Sequence, residues 1–111
     1  MCRSLRVLCA ASDPQSLGAL KRASMRAEWE VVGGAVSVPD LAEQLGEWRP
    51  DVVVIDAALG DGAFDVCRRL RPTAGLVSLG RAVGADRVAE TMDEVHAAIL
   101  GFPKPGGPVR A

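Results

Sequence analysis

The sequence predicts an α/β domain, a parallel sheet covered by helices. Short apolar runs alternate with helical patterns along the chain. One run, Val52-Val53-Val54-Ile55, is unbroken and β-branched, as expected of a central strand buried on both faces. The length of 111 residues, 49% of them hydrophobic, allows one small core and a single domain.

The first strand is read at Leu5–Ala11. Pro14 then opens a helix whose stripe is Leu17, Leu20 and Ala23. Glu30–Ala35 is the second strand, shortened by Gly33 and Gly34. Ser37 is placed to cap the next helix, with Pro39 and Asp40 in its first turn. Its stripe Val38, Leu41, Leu45 and Trp48 buries one face. Pro50 ends that helix, and Asp51–Ile55 follows as the clearest strand, with Asp56 at its carboxyl end. Residues 57–62 read as a loop; Val66, Cys67 and Leu70 mark a third helix, stopped by Pro72. Leu76–Leu79 is the fourth strand.

Two readings stand beyond Gly80. In the preferred one, Arg87-Val88-Ala89 is a stubby fifth strand. Thr91 and Glu94 then form a capping box for a last helix carrying Met92, Val95 and Ile99, with His96 beside them. The difficulty is that residues 80–87 are few for a helical crossover. In the rival reading Ala85, Val88, Ala89, Met92 and Val95 share one continuous helix, and Ile99–Phe102 is the last strand. Pro103–Ala111, rich in Pro and Gly, is a flexible tail under either, which places the folded unit at 1–102.

Thirteen basic and fourteen acidic residues leave a net charge of −1, so no overall field draws in nucleic acid or an anionic membrane. No apolar run approaches the roughly 20 residues that span a bilayer. A signal peptide is not expected, and Cys2, Cys9 and Cys67 read as free thiols of a reducing cytoplasm. One histidine and no paired cysteines leave a structural zinc site without ligands. Enzyme signatures are missing as well. The residues six beyond each cysteine are Leu8, Gln15 and Thr73, where a phosphatase loop needs Arg, and Gly33-Gly34 has no dinucleotide-binding context. A small flavodoxin-like enzyme or ligand-binding protein is therefore the least favoured alternative.

In an open parallel sheet, chemistry concentrates at the carboxyl ends of the central strands. That edge carries Ala11, Ser12, Asp13, Asp56, Ala58 and Gly80. A carboxylate on a rigid strand tip serves as a nucleophile toward phosphorus or as a ligand for a hard cation. The plainer role for Asp56 is to end its strand and cap the following loop. Packing roles are favoured for His96, Trp29, Trp48 and Cys67, and a solvated helix face for Arg68, Arg69 and Arg71.

Arg49-Pro50-Asp51-Val52-Val53-Val54-Ile55-Asp56 with Phe64–Arg71 resembles the phospho-acceptor strand and third helix of the receiver domains of two-component response regulators. Arg6-Val7-Leu8 with Ser12-Asp13-Pro14 is similar to that family's first strand and turn, and Gly84-Ala85-Asp86 with Thr91–Ile99 to its fifth strand and last helix. The resemblance implies a flavodoxin-like, CheY-like three-layer α/β/α sandwich with strand order 2-1-3-4-5. It also implies Asp56 as phospho-acceptor, magnesium as cofactor, and a sensor kinase or regulatory protein as partner.

The departures gather at the implied site. The family's two acidic residues at the first-strand tip fall on Ala11 and Ser12, with Asp13 one place late. Asp13, Asp56 and the Ala58 carbonyl are thus a thin magnesium ligand set. The switch hydroxyl falls on Gly80, with Ser78 deeper on the same face, and the family's lysine falls near Glu90, which reverses the charge. Lys104-Pro105 resembles the lysine-proline pair and reaches the site only in the rival reading. The family's fourth helix is reduced or missing. The expectation is an atypical, non-enzymatic receiver-like module acting by protein–protein interaction, free-standing in the cytoplasm; a homodimer would cover the strip left by the missing helix. A working phospho-receiver using Asp56 is the alternative.

Overall fold

The computed structural model describes residues 5–25, 29–82 and 84–101. Its elements are β1 (Leu5–Ala10), α1 (Pro14–Ser24), β2 (Trp29–Ala35), α2 (Val38–Trp48), β3 (Val52–Asp56), a 3-10 turn (Ala57–Leu59), α3 (Asp61–Leu70), β4 (Gly75–Leu79), β5 (Arg87–Ala89) and α4 (Met92–Leu100). The strands form one sheet in the order β2-β1-β3-β4-β5, and every neighbouring pair is parallel. This is the expected CheY-like arrangement, with four helices.

Strand alternation splits the core into two layers. Val53 and Ile55 enter one with Leu8, Leu41, Leu45 and Phe64, beneath α2 and α3. Val52 and Val54 enter the other with Val7, Leu20, Val95 and Ile99, beneath α1 and α4. Val52, Val53, Val54 and Ile55 have no exposed surface, which explains their unbroken β-branched run.

The helix starts follow their capping chemistry. Asp13 caps α1 ahead of Pro14, and the Ser37 hydroxyl accepts the Asp40 N–H at the start of α2. Arg49 closes α2 in the left-handed region, at φ 49°. On β2, a Cβ at Gly33 would crowd Gln44 Oε1 at 2.6 Å, Trp48 Nε1 at 3.0 Å and Leu8 Cδ1 at 3.3 Å, so glycine leaves room for these side chains over the strand. The β1–β2 register slips by one residue at that place, between Val7 and Leu8.

The preferred reading of the C-terminal third is correct. Arg87–Ala89 pair with Val77–Leu79, so the rival continuous helix does not form. The connection over 80–86 is too short for a helical crossover, and its described residues pack against the core instead. Ala82 and Ala85 pack on the α2/α3 layer, and the Asp86 N–H donates to the Leu76 carbonyl. Val88 and Leu100 remain 43% and 50% exposed.

Some local expectations need correction. β1 ends at Ala10, while β2 and β4 each begin one residue early, at Trp29 and Gly75. Residues 57–62 are not a plain loop, because Asp56 Oδ1 accepts the Ala58 N–H and winds a 3-10 turn. Gly60, at φ 100°, then redirects the chain so that Asp61 is already helical. Leu70, at the last residue of α3, is exposed; Ala63, Phe64, Val66 and Cys67 form the buried face. The capping box at Thr91 does not close. Glu94 Oε1 accepts the N–H of Glu90, one residue before the cap, and the Thr91 side chain makes no capping bond. Residues 103–111, Cys2 and the Lys104-Pro105 pair lie outside the described residues. Among the described residues, no helix is long and apolar enough to cross a membrane.

Candidate functional site

Parallel pairing of Ala10 with Ile55 brings the first and third strand tips side by side. Ala11, the first residue beyond β1, is fully buried, and its N–H donates to the Ala35 carbonyl at 3.0 Å. Ser12 and Asp13 follow as exposed residues. Both Asp13 oxygens face its own helix: Oδ1 accepts the Ser16 N–H at 2.8 Å and Oδ2 the Ser16 hydroxyl at 3.0 Å. The Ser16 N–H, then its hydroxyl, favour the ionised form and hold this carboxyl below its ordinary value.

Asp56 ends β3 half-buried, and its Oδ1 accepts the Ala58 N–H at 3.0 Å. The capping role open to it from the sequence is therefore realised. Its other oxygen has no hydrogen bond among the described residues. Across β4, Gly80 sits at φ 95°, and a Cβ there would meet the Ala57 Cβ at 3.3 Å. Backbone and space thus both select glycine where the resemblance places a hydroxyl. Ser78, two residues back and fully buried, donates its hydroxyl to the Gly80 carbonyl at 2.5 Å. Glu90 is exposed just beyond β5, its N–H donated to Glu94.

Magnesium asks for hard oxygen donors in near-octahedral array. Asp13 and Asp56 each give oxygens to local backbone or hydroxyl donors, and Ala11 and Ser12 offer no carboxylate. Among the described residues, no three His, Cys, Asp or Glu side chains gather as a metal site. The cluster of carboxylates that the resemblance implies for magnesium is thus not assembled among the described residues.

The remaining candidates have packing roles. Trp29 is 6% exposed, and its ring lies 5.5 Å from that of His96. Trp48 packs on the α2/α3 layer. Burial pushes the Cys9 thiol up to about 11 and the Cys67 thiol up to about 12, so neither is a ready nucleophile at neutral pH. Arg68 and Arg71 are not simply solvated. Arg68 pairs with Asp86 at 2.7 Å and donates to the Gly84 carbonyl at 3.1 Å, and Arg71 donates to the Pro50 carbonyl at 3.2 Å. The role of Asp86 was not legible in its local sequence. Its other oxygen accepts the Leu76 N–H at 2.9 Å, and only the folded sheet brings these groups together.

No family model matches the chain, and no curated protein matches it. Solved structures do. The response regulator domain of Thermotoga maritima CheB superposes with a TM-score of 0.66 at 23% identity, covering 88% of this chain and 92% of that one. A CheY-like response regulator receiver domain from Methanospirillum hungatei JF-1 gives 0.70 at 17% identity, over 88% and 92%. CheY6 of R. sphaeroides, seen in complex with the P1 domain of CheA3, belongs to a structure matching at 0.69 and 18% identity, over 88% and 96%. Strand order, the placement of helices on both faces and an aspartate crowning the middle strand together give this chain the fold of the response-regulator receiver domains.

Proposed function

We propose that this chain is an atypical receiver-like signalling module, without enzymatic activity, that acts by binding another protein. Asp56 occupies the phospho-acceptor position in this reading, but magnesium-dependent phosphorylation is not its switch. One observation carries it: Asp13, the carboxylate that follows the first-strand tip, has both oxygens on Ser16. An acyl phosphate at Asp56 would lack the cation needed to offset its charge. Gly80 and Glu90 support the same reading, since one supplies no hydroxyl and the other adds negative charge. In this reading the receiver-like domain is 1–102, followed by a Pro/Gly-rich tail at 103–111, and the partner is a sensor kinase or a regulatory protein. The structure containing CheY6 and the CheA3 P1 domain is a precedent for such a contact on this fold.

The test is exposure to acetyl phosphate, and separately to beryllium fluoride, each with magnesium. The expected result is no added mass on the intact protein and no magnesium-dependent shift in melting temperature. A mass increase lost in Asp56→Asn would replace this reading with that of a working phospho-receiver. The Asp56→Asn variant keeps the oxygen that caps Ala58, so it folds.

A further inference from the structure

β2 is an outermost strand of the sheet, seven residues long and paired with β1 on one side. The other side of such a strand is a row of backbone groups that a second chain can pair with. Ala35 turns its carbonyl toward β1, where it accepts the Ala11 N–H at 3.0 Å. Backbone groups alternate sides along a strand, so Gly34 turns its carbonyl to the open flank. There a side chain stands in for a neighbouring strand. Gln44 Nε2 donates to the Gly34 carbonyl at 2.6 Å and to Asp40 Oδ1 at 3.1 Å. Asp40 is itself fixed, because its N–H donates to the Ser37 hydroxyl at 3.2 Å and its Oδ2 accepts the Val36 N–H at 3.4 Å.

The two glycines make this arrangement possible. A Cβ at Gly33 would displace Gln44, and a Cβ at Gly34 would stand 2.9 Å from Leu17 Cδ2 of α1. Side chains of α2 and α1 therefore close over the same stretch of strand from opposite faces. The register slip that skips Val32 breaks the regular ladder on this flank as well. β5, on the opposite flank, is three residues long, and its shortness alone limits pairing.

We propose that Gln44 guards the open flank of β2, holding it shut against pairing with β2 of a second copy of this chain. Two identical strands can meet antiparallel across a two-fold axis, each offering N–H groups to the other's outward carbonyls. The Gln44 amide already supplies the donor that a second strand would bring to Gly34, and it occupies that donor's place.

The test starts with the wild-type chain, where a scalar coupling across the hydrogen bond is expected between Gln44 Nε2 and the Gly34 carbonyl carbon. Sedimentation over a concentration series then compares wild type with Gln44→Ala and Gln44→Lys. Gln44→Ala is expected to self-associate about tenfold more tightly than wild type. With rising concentration its Gly34 N–H should exchange more slowly, an effect absent from wild type. Gln44→Lys, which keeps a donor and adds charge to the flank, should stay at the wild-type level. No coupling in wild type would overturn the guard. So would a Gln44→Ala chain that associates no more tightly, equal association of Gln44→Lys, or protection that falls on other strands and spares Gly34.

Discussion

The two edges of the sheet handle their polar groups in opposite ways. At the edge where the strands begin, side chains cross-link elements far apart in sequence. The Arg6 N–H donates to Asp51 Oδ2 at 2.9 Å, Arg71 reaches the Pro50 carbonyl, Asp86 joins Arg68 to Leu76, and Arg87 donates to the Gly101 carbonyl. At the edge where the strands end, the side chains of the implied site bond only to near neighbours in sequence. Asp13 serves Ser16, Asp56 serves Ala58, Ser78 serves Gly80, and Glu94 serves Glu90. Long-range bonds hold strands in register. Local ones only finish each turn, so nothing draws the carboxylates of the second edge toward a common point. The stable edge is not the edge where the fold places its chemistry, an asymmetry expected when loops carry function on a rigid scaffold.

The largest effect follows from cutting the first edge at Asp51. Its carboxylate takes the Arg6 N–H, its own N–H donates to the Arg6 carbonyl, and its carbonyl accepts from Gly75, so β1, β3 and β4 meet there. Asp51→Ala leaves the half-buried Arg6 N–H without its acceptor and is expected to cost about 2 kcal/mol. The check is a lower urea midpoint at unchanged slope. Asp51→Asn, which keeps an acceptor oxygen, loses less.

Next in size is Asp86→Ala, at about 1–2 kcal/mol, because the Leu76 N–H and Arg68 both lose their acceptor. The exposed part of the ion pair adds little to that figure. Burial opposes ionisation of Asp86, but the Arg68 and Leu76 hydrogen bonds with the charges of Arg68 and Arg87 outweigh it and hold the carboxyl below its ordinary 3.8. Stability from this group is therefore fully present above pH 3.8 and lost as pH falls through the lower folded value. The melting-temperature gap between wild type and Asp86→Ala should close in that acid range. A gap that stays constant would remove Asp86 from the first edge's cross-links.

These long-range ties also mark the limit of what the sequence can tell. β3, the helix starts at Pro14 and Ser37 and the last helix were legible because each is written in adjacent residues, as a run, a cap or a stripe. Asp86 has no such signature, since its partners lie 10 and 18 residues away and meet only through the sheet. At the other edge, the absence of a second acidic residue beside Asp13 was readable from the resemblance. That Asp13 turns back onto Ser16 was not, because an N-cap and a metal ligand use the same residue type. The capping box failed for a related reason. Its residue types were right at Thr91 and Glu94, but the Glu90 N–H competed for the same carboxylate and won.

The smallest expected effect discriminates best between the two uses of Asp13. As a cap alone, its loss should loosen one turn and nothing more. Asp13→Ala should then speed hydrogen exchange at residues 15–17 and lower the melting temperature by less than Asp86→Ala, while Asp13→Asn keeps an oxygen for Ser16 and stays near wild type. Because Ser16 holds this carboxyl below its ordinary 3.8, the capping contribution is present above that pH and fades as acid titrates the folded form. A metal ligand would behave differently, because a neutral amide is a poor substitute for a carboxylate on a hard cation. Magnesium would then stabilise the wild type and lose that effect in Asp13→Asn. Equal melting curves with and without magnesium, in both proteins, are what a cap predicts. A magnesium shift that vanishes in Asp13→Asn would move Asp13 from the set of local bonds to a shared site, and the contrast between the two edges would go with it.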